Sequence, residues 1–273
     1  MTQNQSPLAQ PEPWELVAEG YASEAPHLMR GFSLRALELV QPAAQARVLD
    51  VAAGPGTLSL ALAPRVARVD AIDFSPNMIA LLEGERKRLA IGNLFARVGD
   101  GQALPFESGS FDAAFSLFGL MFFPDRPKGY AGLLRVLKPS GTALVSSWAP
   151  AEDSSLMRAM FGAIAEMDPD FVAPRRSIAG LENPEVLAGE LATAGFVDVQ
   201  IHPVSQSMSV TSPAELWERF QRGSAPLVLL RRRLGEAAWA ERSPAARRRL
   251  EREIGEQHEL ASSAWLATGR CPR

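Results

Sequence analysis

The sequence predicts an α/β protein built on a doubly wound, mostly parallel sheet. From residue 47 onward, short apolar runs alternate with segments of helical periodicity. The runs are short and largely apolar, without a strict alternation of apolar and polar residues. This pattern is typical of parallel strands covered by helices on both faces. The first run leads into a glycine-rich turn, VLDVAAGPGT at 48–57, and such turns bind ligands in many α/β proteins.

The elements follow in order along the chain. Residues 1–12 are polar and rich in proline, and we predict a disordered tail. Residues 13–42 carry apolar side chains at helical spacing and form a predicted N-terminal cap. The core spans 46–150, with predicted strands at 47–52, 68–73, 94–100, 110–118 and 142–148.

Two further segments, 151–180 and 213–254, have helical patterns and are predicted insertions. Between them lie a helix ended by Gly195 and a strand at 196–204, and a last apolar run at 259–270 is a predicted closing strand. We treat 13–273 as one domain.

Composition narrows the classes of function. The 273 residues are 47% hydrophobic and carry a net charge of −3, so there is no global basic field for binding nucleic acid. The single Cys271 cannot form an internal disulfide, and no Cys/His cluster has the spacing of metal ligands. No window holds 18 uncharged apolar residues, so we expect a cytoplasmic, metal-free protein without a membrane span.

The glycine-rich turn discriminates among ligands. A phosphate-binding P-loop requires lysine after its last glycine, whereas Thr57 follows Gly56 here. A dinucleotide fingerprint requires a third small residue, a position that Ser59 occupies, so this alternative stays open. Asp50 beside the turn would repel a pyrophosphate and tolerate a ligand that bears an ammonium group.

Two further carboxylates lie at predicted strand ends. Asp73 follows the turn by about 20 residues, a spacing at which an acidic residue accepts hydrogen bonds from ribose hydroxyls. It could instead cap the helix that begins at Pro76. Asp100 ends the third strand, where it could accept a bond from an adenine amino group. Together they suit an unphosphorylated adenosine.

The ordered segments VLDVAAGPGT, RVDAIDFSPNM, ARVGDGQALPF, SFDAAFSLFGL and LLRVLKPSGTALVSSW resemble class I S-adenosylmethionine-dependent methyltransferases. The similarity is to the small-molecule group that includes the ubiquinone and menaquinone biosynthesis type (methyltransferase type 11), and it covers Trp14 to Trp148. The resemblance implies a Rossmann-like, seven-stranded sheet of order 3-2-1-4-5-7-6 with the last strand antiparallel and helical lid insertions. It also implies S-adenosyl-L-methionine as cofactor and S-adenosyl-L-homocysteine as product.

The resemblance further assigns residues to the cofactor. Ala52, Ala53 and Gly54 would meet its methionine part, with Ala52 standing where the family usually has glycine, and Ser116 and Leu117 would meet the same end through backbone groups.

On the adenosine side, the resemblance implies that Asp73 holds the ribose and that Phe74 and Met78 pack on the adenine. Asp100 and Gly101 would meet the adenine edge. In similar enzymes an N-terminal aromatic residue covers the cofactor, a role that would fall to Tyr21, for which core packing is the alternative.

Aromatic and methionine side chains follow the fourth and fifth strands and recur in the first insertion. Some of them are expected to line an apolar pocket for a small-molecule acceptor, with core packing as the alternative. They are Phe118, Met121, Phe122, Trp148, Met157 and Phe161.

The expected reaction is methyl transfer to a small, largely apolar acceptor, with O-, N- and C-methylation all open. In-line displacement from a sulfonium chiefly requires alignment and desolvation, and no catalytic residue is assigned. A non-catalytic S-adenosylmethionine-binding or regulatory module is the alternative, and a nicotinamide-dependent oxidoreductase is a weaker one.

Overall fold

The computed structural model describes residues 6–171, 180–255 and 259–273. Within these ranges the strands are β1 Arg47–Val51, β2 Arg68–Asp73, β3 Leu94–Val98, β4 Phe111–Ser116, β5 Leu137–Trp148, β6 Val197–Ser209 and β7 Glu259–Arg270. The α-helices are α1 Pro11–Val40, α2 Thr57–Leu62, α3 Pro76–Arg88, α4 Arg126–Val136, α5 Ser155–Met167, α6 Pro184–Thr193, α7 Pro213–Gly223 and α8 Ala225–Ile254.

The strands form one sheet of order β3-β2-β1-β4-β5-β7-β6. Strands β1 to β5 pair in parallel, whereas β7 is antiparallel to both β5 and β6. The predicted α/β class, strand order and antiparallel last strand are therefore confirmed. The chain runs from β1 out to β3 and then returns to β4 on the other side, so a crevice opens at the carboxyl ends of β1 and β4, where such sheets bind ligands.

Burial on both faces explains the apolar strand sequences. Val48, Leu49, Ala114 and Phe115 in the central strands are fully buried. A smaller apolar cluster joins α5, α7 and α8 to the far ends of β6 and β7. The helical additions therefore have a core of their own, set against the carboxyl edge of the sheet.

Helix starts follow short-range sequence signals. The Ser75 hydroxyl accepts a hydrogen bond from the Met78 amide and is followed by Pro76, which is preorganised for the first turn. Ser154 caps α5 in the same way. These caps place the first turns of α3 and α5 close to the ends of β2 and β5.

The tail prediction is wrong for residues 6–12. Pro7–Ala9 form a 3-10 turn capped by Ser6, and α1 already begins at Pro11. The indole N–H of Trp14 donates to the Leu8 carbonyl over 2.9 Å, which ties this turn onto the helix. Residues 1–5 lie outside the described residues, as do 172–179 of the predicted first insertion.

Two strands are longer than predicted. Strand β5 begins at Leu137 instead of 142, because a bulge lets Leu137 pair with Phe111 before Thr142 pairs with Ala113. Strand β6 continues to Ser209 because β7 offers it partners along its whole length. None of the described helices combines the length and the apolar character needed to cross a membrane.

Candidate functional site

The glycine-rich turn folds into a tight loop between β1 and α2. Ala52, Gly54 and Gly56 all have left-handed backbone angles, with φ of 58°, 56° and 92°. At Gly56 a Cβ atom would lie 2.1 Å from Leu82 Cδ1, so only glycine fits there. The loop thus turns sharply and exposes its backbone to the crevice.

Asp73 at the end of β2 holds this loop in place. Its Oδ2 accepts the Gly54 amide over 2.8 Å, and its Oδ1 accepts the Ser75 amide over 2.9 Å. Burial raises the pKa of Asp73, although the hydrogen bonds from Ser75 and Gly54 act in the opposite direction. The cap of α3 is Ser75, so the alternative that Asp73 caps this helix is corrected. Asp73 also lines a cleft above the loop.

Asp50 lies below the loop and is not part of the cleft wall. The Ser59 hydroxyl donates to its Oδ2 over 2.6 Å, and its side chain is buried. Burial raises the pKa of Asp50 to about 7, and the nearby Asp73 charge adds to this effect. Asp50 lies beside the turn as predicted, with its carboxyl group turned toward the first turn of α2 instead of into the cleft.

Aromatic residues of α1 and of the segment after β4 roof the cleft. A Cβ placed on Gly54 would lie 4.0 Å from Tyr21 Cε1, so the Tyr21 ring lies over the loop. Trp14 packs edge-on against Tyr21 at 5.9 Å and tilts onto Phe122 at 5.4 Å. Burial raises the pKa of Tyr21 to about 12, with Asp73 contributing, so its hydroxyl stays protonated at neutral pH.

The loop after β3 closes the other end of the cleft. Asp100 Oδ1 accepts the Gln102 amide over 2.8 Å, and Gln102 Oε1 accepts the Asp125 amide over 2.8 Å. A Cβ on Gly101 would lie 2.4 Å from Phe123 Cζ. The segment before α4 is therefore packed directly on this loop.

The cleft, called the glycine-loop cleft below, contains every predicted cofactor residue except Ala53 and Ser116. The Ala53 amide is bound to the Ile72 carbonyl, and the buried Ser116 hydroxyl accepts the Leu120 amide, so both groups are engaged within the protein. The predicted residues in its lining are Tyr21, Ala52, Gly54, Asp73, Phe74, Met78, Asp100, Gly101 and Leu117.

Sequence reasoning missed other walls of the cleft. Trp14 lies in the predicted N-terminal cap, 13–42, and no role in a binding site was assigned to it. Gly119 and Phe123 follow the fourth strand, and residues after the carboxyl end of a strand are candidates for lining a binding site. Phe118 and Phe122, which were predicted for the acceptor pocket, line this cleft as well. The missed lining residues are Ala9, Trp14, Gly99, Gln102, Gly119, Phe123 and Pro124.

A second cavity of about 720 Å³ adjoins the glycine-loop cleft. The two share the side chains of Trp14, Tyr21, Phe118, Phe122 and Phe123. This apolar cavity is bounded by α1, α5, α7 and the segment after β4, and its volume falls in the range of small-molecule sites. All the predicted acceptor residues line it: Phe118, Met121, Phe122, Trp148, Met157 and Phe161.

Phe118 occupies the junction of the two spaces. Its backbone is left-handed, with φ of 56°, and its amide donates to Ser146 Oγ over 2.9 Å. Its ring stacks on Trp148 with centroids 4.0 Å apart, and Phe32 packs edge-on against both. A strained, non-glycine residue at such a position is characteristic of functional sites.

The histidines lie away from these walls. His202 lies in β6, where Nε2 is 3.2 Å from the Thr268 hydroxyl and burial lowers the pKa of the ring. His27 is an exposed residue of α1 that belongs to neither lining, and His258 lies outside the described residues. Among the described residues, no group of three His, Cys, Asp or Glu side chains could hold a metal ion.

Comparison with known proteins identifies the chemistry of this arrangement. Residues 48–141 match the family model of a methyltransferase domain. A demethylmenaquinone methyltransferase of Clavibacter sepedonicus is 36% identical over 173 residues, which are 59% of this chain and 69% of the relative. One from Thermus thermophilus is 33% identical over 175 residues, covering 59% of this chain and 79% of the relative.

Solved structures share the fold at low identity. YcgJ of Bacillus subtilis has a TM-score of 0.60 at 17% identity, covering 88% of this chain and 98% of its own. The [4+2]-cyclase SpnF has a TM-score of 0.63 at 19% identity, with 98% of each chain covered. Because a cyclase shares this architecture, the fold alone leaves the reaction open. The curated relatives decide it: this chain belongs to the class I S-adenosylmethionine-dependent methyltransferases of small molecules, and S-adenosylmethionine is its cofactor.

Proposed function

We propose that the glycine-loop cleft holds the methyl donor and that the apolar cavity holds a largely apolar acceptor. The observation that carries this assignment is the shared wall, because a methyl group can pass between two sites only where they adjoin. Phe118, Trp14 and Tyr21 lie at that boundary.

The residues present fit the cofactor. Asp73 offers a buried carboxylate at the cleft wall, and we assign it to the ribose hydroxyls. Phe74 and Met78 supply apolar surface for the adenine, and Asp100 with Gly101 lies at the far end of the same cleft. The left-handed backbone at Gly54 leaves room for the methionine part, since a Cβ there would have no neighbour closer than 4.0 Å.

S-adenosylmethionine supplies an electrophilic methyl group on a positively charged sulfur. The protein's contribution is to align the acceptor with this methyl group and to exclude water, effects that account for a large part of such a barrier. The aromatic roof of Trp14, Tyr21 and Phe122 covers the donor site, and the negative charge of Asp73 lies in the cleft. Both features favour binding of a cationic donor.

The relatives' names identify demethylmenaquinone as the acceptor of those enzymes. We propose an acceptor of similar chemistry for this chain, one with a planar ring and apolar substituents. The stacked Phe118 and Trp148 rings provide an aromatic surface at the end of the cavity nearest the cleft. Met121, Met157 and Met160 add flexible apolar side chains that adapt to irregular shapes.

The direct experiment incubates the protein with S-adenosylmethionine labelled in the methyl group and a panel of demethylated quinols, phenols and amines. We expect label to enter an apolar ring compound, and mass and NMR spectra of the product then identify the methylated atom. Calorimetry with S-adenosylhomocysteine and NAD serves as the control, with binding of the first only. Transfer confined to small, highly polar amines would contradict the proposed acceptor class.

A further inference from the structure

An ion pair lies in the wall of the otherwise apolar cavity. Arg219 of α7 binds Glu24 of α1, with Nε 2.8 Å from Oε2, and both side chains line the cavity. The side chains are only 13% and 18% exposed. Arg222 binds the other oxygen of Glu24 over 2.9 Å from the outer side.

The backbone holds this pair in place. At Gly20 a Cβ atom would lie 2.0 Å from the Arg222 carbonyl, and at Gly223 it would lie 3.0 Å from Glu24 Cβ. Glycines therefore let α1 and α7 cross at close range beside the ion pair. The arginines lower the pKa of Glu24 although burial opposes this, so the carboxylate is charged at neutral pH.

The charges of the cavity are compensated within the protein. Among the described lining residues, the charged side chains are Glu24, Arg126 and Arg219. Arg126 binds Glu190, with Nε 2.9 Å from Oε2. A charged acceptor group would therefore lose its hydration without gaining a free counter-charge, which is costly in a largely apolar site.

We propose that Glu24 determines the charge specificity of the acceptor site: by neutralising Arg219, it makes the cavity accept uncharged molecules and reject anionic ones. This inference rests on the proposed function only in placing the acceptor in the apolar cavity. Without Glu24, Arg219 would present a partly buried positive charge to the cavity. Its other carboxylate partner, Glu215, is more distant, with Oε1 3.7 Å from Arg219 Nη1.

The test uses chain molecules that differ only in head-group charge, 1-decanol and decanoate, titrated calorimetrically into the full-length protein saturated with S-adenosylhomocysteine. The unaltered protein should bind decanol at least about tenfold more tightly than decanoate. In Glu24→Gln, decanoate should gain about tenfold while decanol changes less than about threefold. Glu83→Gln, which removes an ion pair with Arg86 on α3, is the matched control and should change neither.

A double variant separates charge from packing. The double variant Glu24→Leu with Arg219→Leu removes both charges of the pair from the cavity wall. It should therefore still bind decanol more tightly than decanoate, and its affinity for decanoate should not rise above that of the unaltered protein. The proposal is overturned if the unaltered protein binds decanoate as tightly as decanol, if decanol does not bind, or if Glu24→Gln lacks the gain. Loss of folding in Glu24→Gln leaves the decision to the unaltered protein and the double variant. Methyl transfer, measured on the same preparations, tests the proposed function separately.

Discussion

Asp73→Asn tests the assignment of the donor site most directly. The change keeps the size of the side chain and one carbonyl oxygen, which can still accept the Gly54 amide that Oδ2 now accepts over 2.8 Å. It removes the negative charge and replaces the second acceptor with an N–H donor. Asp73→Ala would be less informative, because it releases the amides of both Gly54 and Ser75, whereas Asp73→Asn releases only that of Ser75.

The expected loss follows from the hydrogen bonds to the ribose. Bonds to a charged group contribute about 1 kcal/mol more than neutral ones, so two ribose hydroxyls bound to Asp73 account for about 2 kcal/mol. At 1.36 kcal/mol for each factor of ten, this corresponds to a roughly 30-fold weaker affinity. Burial raises the pKa of Asp73, so the difference between the two proteins should narrow at acidic pH as the carboxylate becomes protonated.

The assay is calorimetric titration with S-adenosylhomocysteine, together with a thermal unfolding curve for each protein. Asp112→Asn is the matched control, because Asp112 also accepts a backbone amide, that of Arg47, and binds Lys138 at the opposite end of the sheet. It should leave the affinity unchanged. A folded Asp73→Asn protein that binds within twofold of the unaltered protein would refute the ribose assignment.

Three other changes test the surrounding structure. The pKa of Asp50 is about 7 in the folded state and ordinarily 3.8, so its contribution to stability is present below the lower value and is lost as pH rises through 7. Asp50→Asn should reduce the fall in unfolding free energy between about pH 5 and 8 by about 3 kcal/mol, as denaturant titrations would show. Gly119→Ala places a Cβ 2.2 Å from Ala52 Cβ and should lower the free energy of unfolding by about 1–3 kcal/mol. Adding Ala52→Gly should restore stability, so effects of the two substitutions that simply add in thermal unfolding would count against this contact. Phe161→Ala removes part of the cavity wall and should lower kcat/KM for the acceptor by about tenfold or more, while the affinity for S-adenosylhomocysteine stays constant. An equal loss of kcat/KM and of S-adenosylhomocysteine affinity would show that Phe161 does not line the acceptor site.

The fold could be predicted from the sequence because its signals are local. The predicted strands at 68–73 and 259–270 coincide with β2 and β7 at both ends, because short runs rich in apolar residues are typical of strands. The start of β5 was harder to predict, because a bulge in the pairing with β4 extends this strand back to Leu137. Pairing partners across the sheet determine such ends.

The order 3-2-1-4-5-7-6 and the cofactor came from a resemblance carried by ordered motifs. Within those motifs the roles of single side chains depended on orientation. Asp50 and Asp73 both lie at the carboxyl ends of neighbouring strands. Asp50 nevertheless turns toward Ser59 beneath the loop, whereas Asp73 also lines the glycine-loop cleft. Sequence spacing cannot distinguish them, because the direction of a carboxyl group depends on which hydrogen-bond donors the folded backbone brings near it.

The sequence by itself determined the class of fold, the glycine-rich turn, the carboxylates near strand ends and the apolar character of the residues proposed for the acceptor pocket, because each depends on neighbours within a few positions. Only the tertiary structure decided the rest. Trp14 joins Phe122 over the cleft, and Glu24 meets Arg219 across 195 positions of chain. Such contacts arise from the packing of distant helices, and burial of their apolar faces, rather than local preference, determines which side chains meet.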